Sequence, residues 1–398
     1  MTQTPFRLLT GGLIDRNRPI EFKFNGKIYS GFDGDTLASA LLANGVFLSA
    51  RSFKYHRPRG IMSAGIEEPS CFVEMVGKNA SGNHAATTVQ LESNLNAKSV
   101  NCWPSPDLDL MGINQFLSRL IPAGFYYKTF MWPNWKLFEP LIRRAAGLAT
   151  APPSNSASRE HFETRHWHGD FLIVGGGPCG LMAALMASRS GARVMLVDNN
   201  THAGGHLRAS QVKVDQMPAL DWVAAIVAEL NDNPEVTHLQ DATVWAYREG
   251  NQLLVAERSP AEEHVFQRGW KARAKQVVLA TGAIERNLVF VNNDRPGIML
   301  ASAVQRYVNE YAVLPGRRVV IFTNNSSAYS LAHDLEAKGK DLAAIVDSRP
   351  LEAIGKEKEG LNSPIYPMHQ LFSAHGRKHV SSVKIRSKNG SITNLKCD

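Results

Sequence analysis

The sequence predicts an α/β protein in which a Rossmann-type, doubly wound parallel sheet follows a small β-grasp domain. A strand, a glycine-rich turn, a helix and a second strand follow one another in residues 171–198. Strands and helices then alternate to the end, and a hairpin followed by a helix lies near the N-terminus. We expect residues 1–100 to form the β-grasp domain, 101–168 a connector and 169–398 the Rossmann domain.

Length and composition favour several domains and exclude some functions. The chain has 398 residues, 44% of them hydrophobic, and no apolar run long enough to span a membrane. The N-terminus lacks the apolar core of a signal peptide, and four scattered cysteines suit the reducing cytoplasm. The net charge is +8, but no nucleic-acid-binding motif accompanies it. We therefore expect a cytoplasmic protein with neither nucleic-acid nor membrane partners.

The glycine-rich turn is the most informative segment. Gly175, Gly177 and Gly180 have the G-x-G-x-x-G spacing between an apolar run and a helix of small residues. Gly175 permits the tight turn, Gly177 lets the backbone approach a pyrophosphate, and Gly180 lets the helix pack closely on the strand. A pyrophosphate would lie on the free N–H groups at the helix N-terminus. Three neighbours belong to the same expected site: Gly176, Pro178 and Cys179.

Asp198 ends the next strand, where a carboxylate accepts hydrogen bonds from an adenosine ribose. A 2′-phosphate would meet this negative charge, so the acid favours NAD or FAD over NADP. Other positions are expected near the cofactor, although each is also explained as an ordinary turn or core residue. They are Asn199, Asn200, Gly204, Gly205, Val244, Thr281 and Gly282.

The N-terminal region has the pattern of a β-grasp domain. Residues 20–24 and 27–30 read as strands around an Asn25-Gly26 hairpin turn. A helix opens at Asp35-Thr36, either of which can cap it. Two further short strands are expected over 72–76 and 86–92.

The connector, residues 101–168, has many aromatic residues among prolines, including Phe125, Tyr126, Tyr127 and Trp132. We expect it to cover another domain or a partner, with 151–158 as its most linker-like stretch. His161, His166 and His168 lack the supporting ligands of a metal site and are expected in an exposed linker.

A second strand–turn–helix motif begins at about residue 315. Its glycine positions hold Thr323, Asn325 and Ala328, whose side chains would crowd a pyrophosphate. We expect this nested nucleotide-type motif to be structural, without a dinucleotide, and its sheet to be incomplete at the C-terminus.

One dense basic cluster comprises Arg51, Lys54, His56, Arg57 and Arg59. It fits a flavin-phosphate or subunit contact, a solvated loop or a nucleic-acid contact, because guanidinium groups bind phosphate well. The chain shows no nucleophile elbow, paired cysteines or poised His–carboxylate motif. We therefore expect no catalytic and no metal-ligating residue.

Several longer motifs resemble the alpha subunits of heterotetrameric sarcosine oxidases: residues 34–45, 51–60, 124–133 and 323–329. Residues 280–299 resemble the crossover segment of two-dinucleotide-binding flavoproteins. The resemblance implies NAD on this chain, FAD on a flavin-bearing beta subunit that oxidises the amine, and FMN near the subunit interface. It implies that sarcosine becomes glycine with peroxide formation, the one-carbon unit passing to tetrahydrofolate.

That resemblance also implies a hetero-oligomer with smaller subunits, an isolated chain inactive alone, and a longer family subunit of which this is the N-terminal part. The β-grasp domain resembles ferredoxin, whose cluster needs C-x4-C-x2-C and a distant fourth cysteine. Met62, Glu67 and Ser70 occupy the first three places, Cys102 matches the fourth, and Cys71 is out of register. We therefore expect no iron–sulfur cluster.

Two other functions remain open. One is a free-standing FAD- or NAD(P)H-dependent oxidoreductase of the disulfide reductase type, which would turn over a nicotinamide alone. The other is a non-catalytic assembly module that binds a beta subunit but no dinucleotide. The sequence leaves open which N-methyl amine is oxidised.

Overall fold

The computed structural model describes residues 4–77, 82–116, 130–145, 161–258 and 265–398. The chain divides into unit 1, Met1–Pro152 with Glu285–Asp398, and unit 2, Pro153–Ile284. The linker-like stretch 151–158 and the aromatic residues 125–127 lie outside the described residues. Within the described part of the chain, every helix is too short or too polar to cross a bilayer.

The N-terminal part of unit 1 is a β-grasp fold. Its elements are β1 (Asp15–Phe24), β2 (Lys27–Asp33), α1 (Leu37–Ala43), β3 (Ala50–Arg51), β4 (Pro58–Arg59), β5 (Phe72–Met75), β6 (His84–Ala85), β7 (Asn96–Ser99) and α2 (Trp135–Ala145). The main sheet has the order β2-β1-β7-β5-β6, with β1 antiparallel to β2 and parallel to β7. This arrangement confirms the predicted β-grasp fold.

Local chemistry explains the hairpin and the helix. Asn25 and Gly26 both have positive φ, at 50° and 77°, as a two-residue turn between twisted strands requires. Thr36 caps α1 in a capping box with Ser39, and every residue of the helix is buried. The predicted strand over 86–92 is wrong, because Ala86–Thr88 form a 3₁₀ turn and only one isolated bridge, between Thr36 and Gln90, precedes β7.

A buried ion pair ties the start of the chain to this domain. Arg7 donates to both carboxylate oxygens of Asp35, at 3.0 and 2.6 Å. The two side chains are 5% and 0% exposed. Asp35 also accepts hydrogen bonds from the Phe32 amide and the Ser39 hydroxyl.

Replacing Asp35 with alanine should lower the free energy of unfolding by about 3–5 kcal/mol, because it leaves the Arg7 charge buried and unpaired. Denaturant unfolding followed by circular dichroism measures the change. Asp33→Ala is the matched control: its partner Arg18 is 71% exposed, and such surface pairs contribute at most about 1 kcal/mol. Equal losses in the two variants would contradict a stabilising role for the buried pair.

Unit 2 is built on one six-stranded sheet. Its elements are β8 (Phe162–Val174), α3 (Pro178–Arg189), β9 (Val194–Val197), β10 (Lys213–Val214), β11 (Met217–Pro218), α4 (Ala219–Asp232), β12 (Val236–Leu239), β13 (Ala242–Arg248), β14 (Gln252–Glu257) and β15 (Gln267–Leu279). The strand order is β12-β9-β8-β15-β14-β13. The first four strands are parallel, β14 pairs antiparallel to β15, and β13 pairs antiparallel to β14.

Each face of this sheet has its own apolar core. Ile173 and Leu196 pack against the two helices α3 and α4. Leu172 and Met195 point to the opposite face and pack with Leu253 and other residues of the β13–β14 hairpin. The central strands are therefore apolar on both faces, which explains the continuous apolar runs in the sequence.

Strand β8 begins within the predicted connector. It starts at Phe162, and Trp167 is buried while His166 and His168 are exposed. The prediction that these two histidines lie in a linker is wrong. The alternation of exposed and buried residues is that of a strand, and it was obscured by the polar side chains on the exposed face.

The C-terminal part of unit 1 contains two small sheets. Its elements are α5 (Ala301–Asn309), β16 (Arg318–Thr323), α6 (Tyr329–Ala337), β17 (Asp341–Asp347), α7 (Leu351–Ile354), β18 (Ile365–Pro367), β19 (His369–His375), β20 (Ser382–Ser387) and β21 (Ile392–Lys396). Strands β16, β17 and β18 are parallel, and β19, β20 and β21 form an antiparallel meander. The predicted second strand–turn–helix motif is β16–α6–β17.

Candidate functional site

Close backbone packing requires glycine at both ends of the turn between β8 and α3. Gly175 has a φ of +108°, and a Cβ there would lie 2.3 Å from the Ala280 carbonyl oxygen. A Cβ on Gly180 would lie 1.7 Å from the Gly175 carbonyl oxygen. No side chain avoids these clashes, so both glycines hold the helix against the end of the sheet.

Gly177 differs from its neighbours because nothing in the protein requires it. It is the N-cap of α3 with φ −74° and ψ −178°, a conformation open to any residue. A Cβ on Gly177 would meet no atom within 4 Å. The helix has Pro178 in its first turn and no side-chain cap. The N-terminus of α3 thus presents backbone N–H groups and a positive dipole end to open space.

Asp198 lies directly beside the turn, at the end of β9. It is 5% exposed, and its carboxylate accepts hydrogen bonds from the Gly176 amide and from Asn200. The bonds from the Asn200 backbone and side-chain nitrogens measure 2.7 and 2.9 Å. Asp198 therefore organises the glycine turn as well as standing where a ribose is expected, and its contact with a ribose stays a prediction.

The Gly204-Gly205 doublet packs on the same turn. The Gly204 amide donates to the Gly176 carbonyl at 2.8 Å. A Cβ on Gly205 would lie 3.1 Å from the Gly177 Cα, and both glycines have positive φ. The doublet is thus more than a remote surface turn, although its contact with a cofactor stays a prediction.

The remaining predicted residues lie around this edge of the sheet. Thr281 and Gly282 follow Ala280, whose amide donates to the Val174 carbonyl at 2.8 Å. Val244 is on β13, whose first residue donates to the Asp198 carbonyl at 2.9 Å. The Asn199 carbonyl accepts from Arg258. Fold topology therefore brings them near the glycine turn, while their roles stay predictions.

Cys179, in the first turn of α3, is exposed, whereas Cys71 and Cys397 are buried. Burial, reinforced by Asp109, raises the pKa of Cys102 to about 11, and burial with Asp398 raises that of Cys397 to about 11. Burial also raises the pKa of Cys71 well above its usual range.

We expect iodoacetamide at about pH 7.5 to label Cys179 first, since the thiolate is the reactive form and the other three thiols stay protonated. Labelling of Cys102 should increase as the pH rises toward 11. Peptide mass spectrometry identifies the labelled residue, and Cys179→Ser should remove the fast phase. Fast labelling of Cys102 or Cys397 at neutral pH would contradict the raised pKa of these two thiols.

A buried carboxylate organises the loop of the N-terminal domain where cluster cysteines were sought. Glu68 is 2% exposed. It accepts from the backbone amides of Met62, Ser63, Ser70 and Cys71 at 2.7–2.9 Å. Sequence reasoning missed Glu68, because a single acid in a loop has no periodicity and its partners are backbone groups.

The chain matches two family models. Residues 17–102 match a 2Fe-2S iron-sulfur cluster binding domain. Residues 170–288 match the FAD dependent oxidoreductases. The first match contradicts our prediction that the chain carries no iron–sulfur cluster, and that prediction is wrong. It relied on the absence of cysteine at three of the four ligand positions, whereas the match extends over residues 17–102.

The matched region has fewer cysteines than an iron–sulfur cluster needs as ligands. Residues 17–102 contain Cys71 and Cys102, whereas a cluster of this kind takes four thiolates. The amide of Cys71 is bonded to Glu68. The two cysteines therefore supply only half of the thiolates that the cluster needs.

The second match corrects the predicted cofactor. NAD was expected on this chain, but the matching model is one of FAD-dependent enzymes and supports a flavin. The predicted contacts of the glycine turn and Asp198 are with the adenosine diphosphate half, which NAD and FAD share, so these residues alone do not distinguish the two cofactors.

Two sequence relatives and one solved structure are similar to this chain. Sarcosine oxidase subunit alpha of Rhizobium meliloti (strain 1021) is 47% identical over 390 residues, 96% of this chain and 39% of that protein. The protein of the same name from Corynebacterium sp. (strain P-1) is 39% identical over 348 residues, 84% of this chain and 31% of its own. The chain thus spans well under half the length of these relatives.

The crystal structure of L-proline dehydrogenase from P. horikoshii shares the fold, with a TM-score of 0.64 at 20% identity. The match covers 99% of this chain and 61% of the proline dehydrogenase chain. Both the sequence relatives and the domain matches identify an oxidoreductase. The chain belongs to the family of sarcosine oxidase alpha subunits.

Proposed function

We propose that unit 2 binds the adenosine diphosphate half of FAD and that this chain is the nucleotide-binding part of an amine-oxidising assembly. The observation that carries the proposal is Gly177. Its neighbours Gly175 and Gly180 are required by packing, whereas Gly177 faces open space at an uncapped helix N-terminus. A pyrophosphate approaching the backbone explains a glycine that the protein interior does not.

The residues around the turn have separate tasks in this proposal. The N-terminal amides of α3 bind the pyrophosphate, and the helix dipole favours its negative charge. Asp198 holds the turn in place through the Gly176 amide and accepts from a ribose hydroxyl. The Gly204-Gly205 doublet keeps side chains away from the turn. The bound flavin supplies a two-electron acceptor.

The wider function follows from the relatives and is likewise proposed. Two relatives are named as subunits of sarcosine oxidase. We propose that this chain works with a flavin-bearing beta subunit and smaller subunits in a hetero-oligomer that demethylates sarcosine to glycine. Peroxide formation and transfer of the one-carbon unit to tetrahydrofolate belong to that assembly, which acts in the cytoplasm. In this proposal the beta subunit oxidises the amine, so this chain needs no pocket for the amine.

Equilibrium dialysis of the purified chain with FAD, with ADP as competitor, tests the binding proposal. We expect FAD to bind at one site and ADP to displace it, because the protein contacts the half that the two share. Gly269→Ala is the matched control, since its Cβ would make only ordinary contacts, at 3.8 Å or more, within unit 2. FAD binding that ADP leaves unchanged, or no FAD binding, would overturn the proposal.

A further inference from the structure

The basic cluster of unit 1 is mostly engaged in contacts within the protein. Arg51 donates to the carbonyls of Pro106 and His56 at 2.6–3.0 Å. The His56 Nδ1 atom lies 2.7 Å from the Asp109 carboxylate, and both side chains are buried. Arg51 and His56 therefore position the loop and are not available to a ligand.

Two other arginines of the cluster share a single carboxylate. Arg57 donates to Asp294 at 2.8 Å and to the Asn292 side-chain oxygen at 3.2 Å. Arg59 donates to the other oxygen of Asp294. The Arg57 side chain is 37% exposed, Arg59 20% and Asp294 25%, so this group is recessed but reached by solvent.

Arg295 brings a third guanidinium within electrostatic range of this group. It follows Asp294 in the chain and lies half-buried, close enough for Arg57 to act on it electrostatically. Burial and the neighbouring Arg57 charge lower the pKa of the Arg295 guanidinium, opposed by Asp294. Among the described residues, the Arg295 side chain forms no hydrogen bond or ion pair. A half-buried cation beside another cation is unfavourable unless an anion joins them.

We propose that Arg57, Arg59 and Arg295 form an anion site for a phosphate monoester group. Three guanidinium charges and the one carboxylate of Asp294 leave an excess of two positive charges. A phosphate monoester carries nearly two negative charges at neutral pH, and its oxygens accept the paired N–H groups of guanidinium. The recessed position favours a small phosphate group over a broad acidic protein surface.

The test is a ³¹P NMR titration of the full chain with inorganic phosphate, at an ionic strength held constant with chloride. We expect saturable binding at one unit 1 site with a Kd on the order of 1 mM. Arg295→Gln should weaken it at least about tenfold, because it removes one charge-assisted donor. This variant breaks no ion pair, so an unchanged melting temperature shows that it folds.

Two further variants locate the site. Arg18→Gln removes the same charge from an exposed pair elsewhere in unit 1 and should leave phosphate binding unchanged. Gly177→Ala blocks the glycine turn of unit 2 and should also leave it unchanged, which separates this proposal from dinucleotide binding. Phosphate binding that Arg295→Gln leaves unchanged, or that Arg18→Gln weakens as much as Arg295→Gln does, would overturn the proposed anion site. Binding lost only in Gly177→Ala would overturn it as well.

Discussion

Replacing Gly180 with alanine should destabilise unit 2 by at least about 3 kcal/mol and abolish dinucleotide binding. In an ordinary helix the same change stabilises by about 1 kcal/mol, because alanine is the better helix former. Here the new Cβ would lie 1.7 Å from the Gly175 carbonyl oxygen, a backbone atom that cannot rotate away. The clash exceeds the gain in propensity, so the sign of the effect is reversed.

Hydrogen exchange with peptide-level mass spectrometry measures this effect within unit 2. We expect the amides of β8 and α3 to lose protection in Gly180→Ala, while those of β1 and α1 in unit 1 keep theirs. A fully protected variant that still binds a dinucleotide would show that α3 does not need to approach the end of β8 this closely.

Replacing Gly177 with alanine should weaken FAD binding about 100-fold, or about 2.7 kcal/mol, with little change in stability. The new methyl group meets no protein atom within 4 Å and adopts an ordinary backbone conformation. It would occupy the space in which the pyrophosphate approaches the N-terminus of α3.

The informative comparison is between affinity and melting temperature in the same variant. Gly177→Ala should melt within a few degrees of the wild type, since alanine in place of glycine at an N-cap costs about 1 kcal/mol or less. Gly269→Ala should match the wild type in both quantities. If Gly177→Ala binds FAD as tightly as the wild type does, the open space at the turn is not the pyrophosphate site.

Features that depend on neighbouring residues were predictable from the sequence. The Asn25-Gly26 turn, the Thr36 cap and the glycine turn are each specified within a few positions by conformation and hydrogen bonding. The apolar runs of the central strands of unit 2 were visible because both of their faces are buried.

Features that depend on distant partners were not predictable in the same way. Arg57 and Arg59 share Asp294, more than two hundred positions away. Glu68 binds backbone amides, which carry no sequence signal. The early start of β8 depends on its pairing with β15, from Phe162 opposite Gln267 onward. Each of these contacts is set by tertiary structure.

The prediction of the cofactor from the sequence is limited because the local pattern does not distinguish NAD from FAD. A glycine turn followed by an acid recognises the adenosine diphosphate half, so the local pattern is the same for NAD and FAD. The family match over residues 170–288 supplies the distinction. The same holds for the β-grasp domain, whose family is recognised over residues 17–102 rather than at three cysteine positions.

The most direct measurement of the central claim is to purify the 398-residue chain, denature it, and identify any released nucleotide by mass spectrometry and absorption. The account predicts FAD from the wild type, in a ratio near one per chain, and almost none from Gly177→Ala prepared in the same way. A different released nucleotide, or FAD retained equally by Gly177→Ala, would contradict the assignment of the glycine turn as the FAD site.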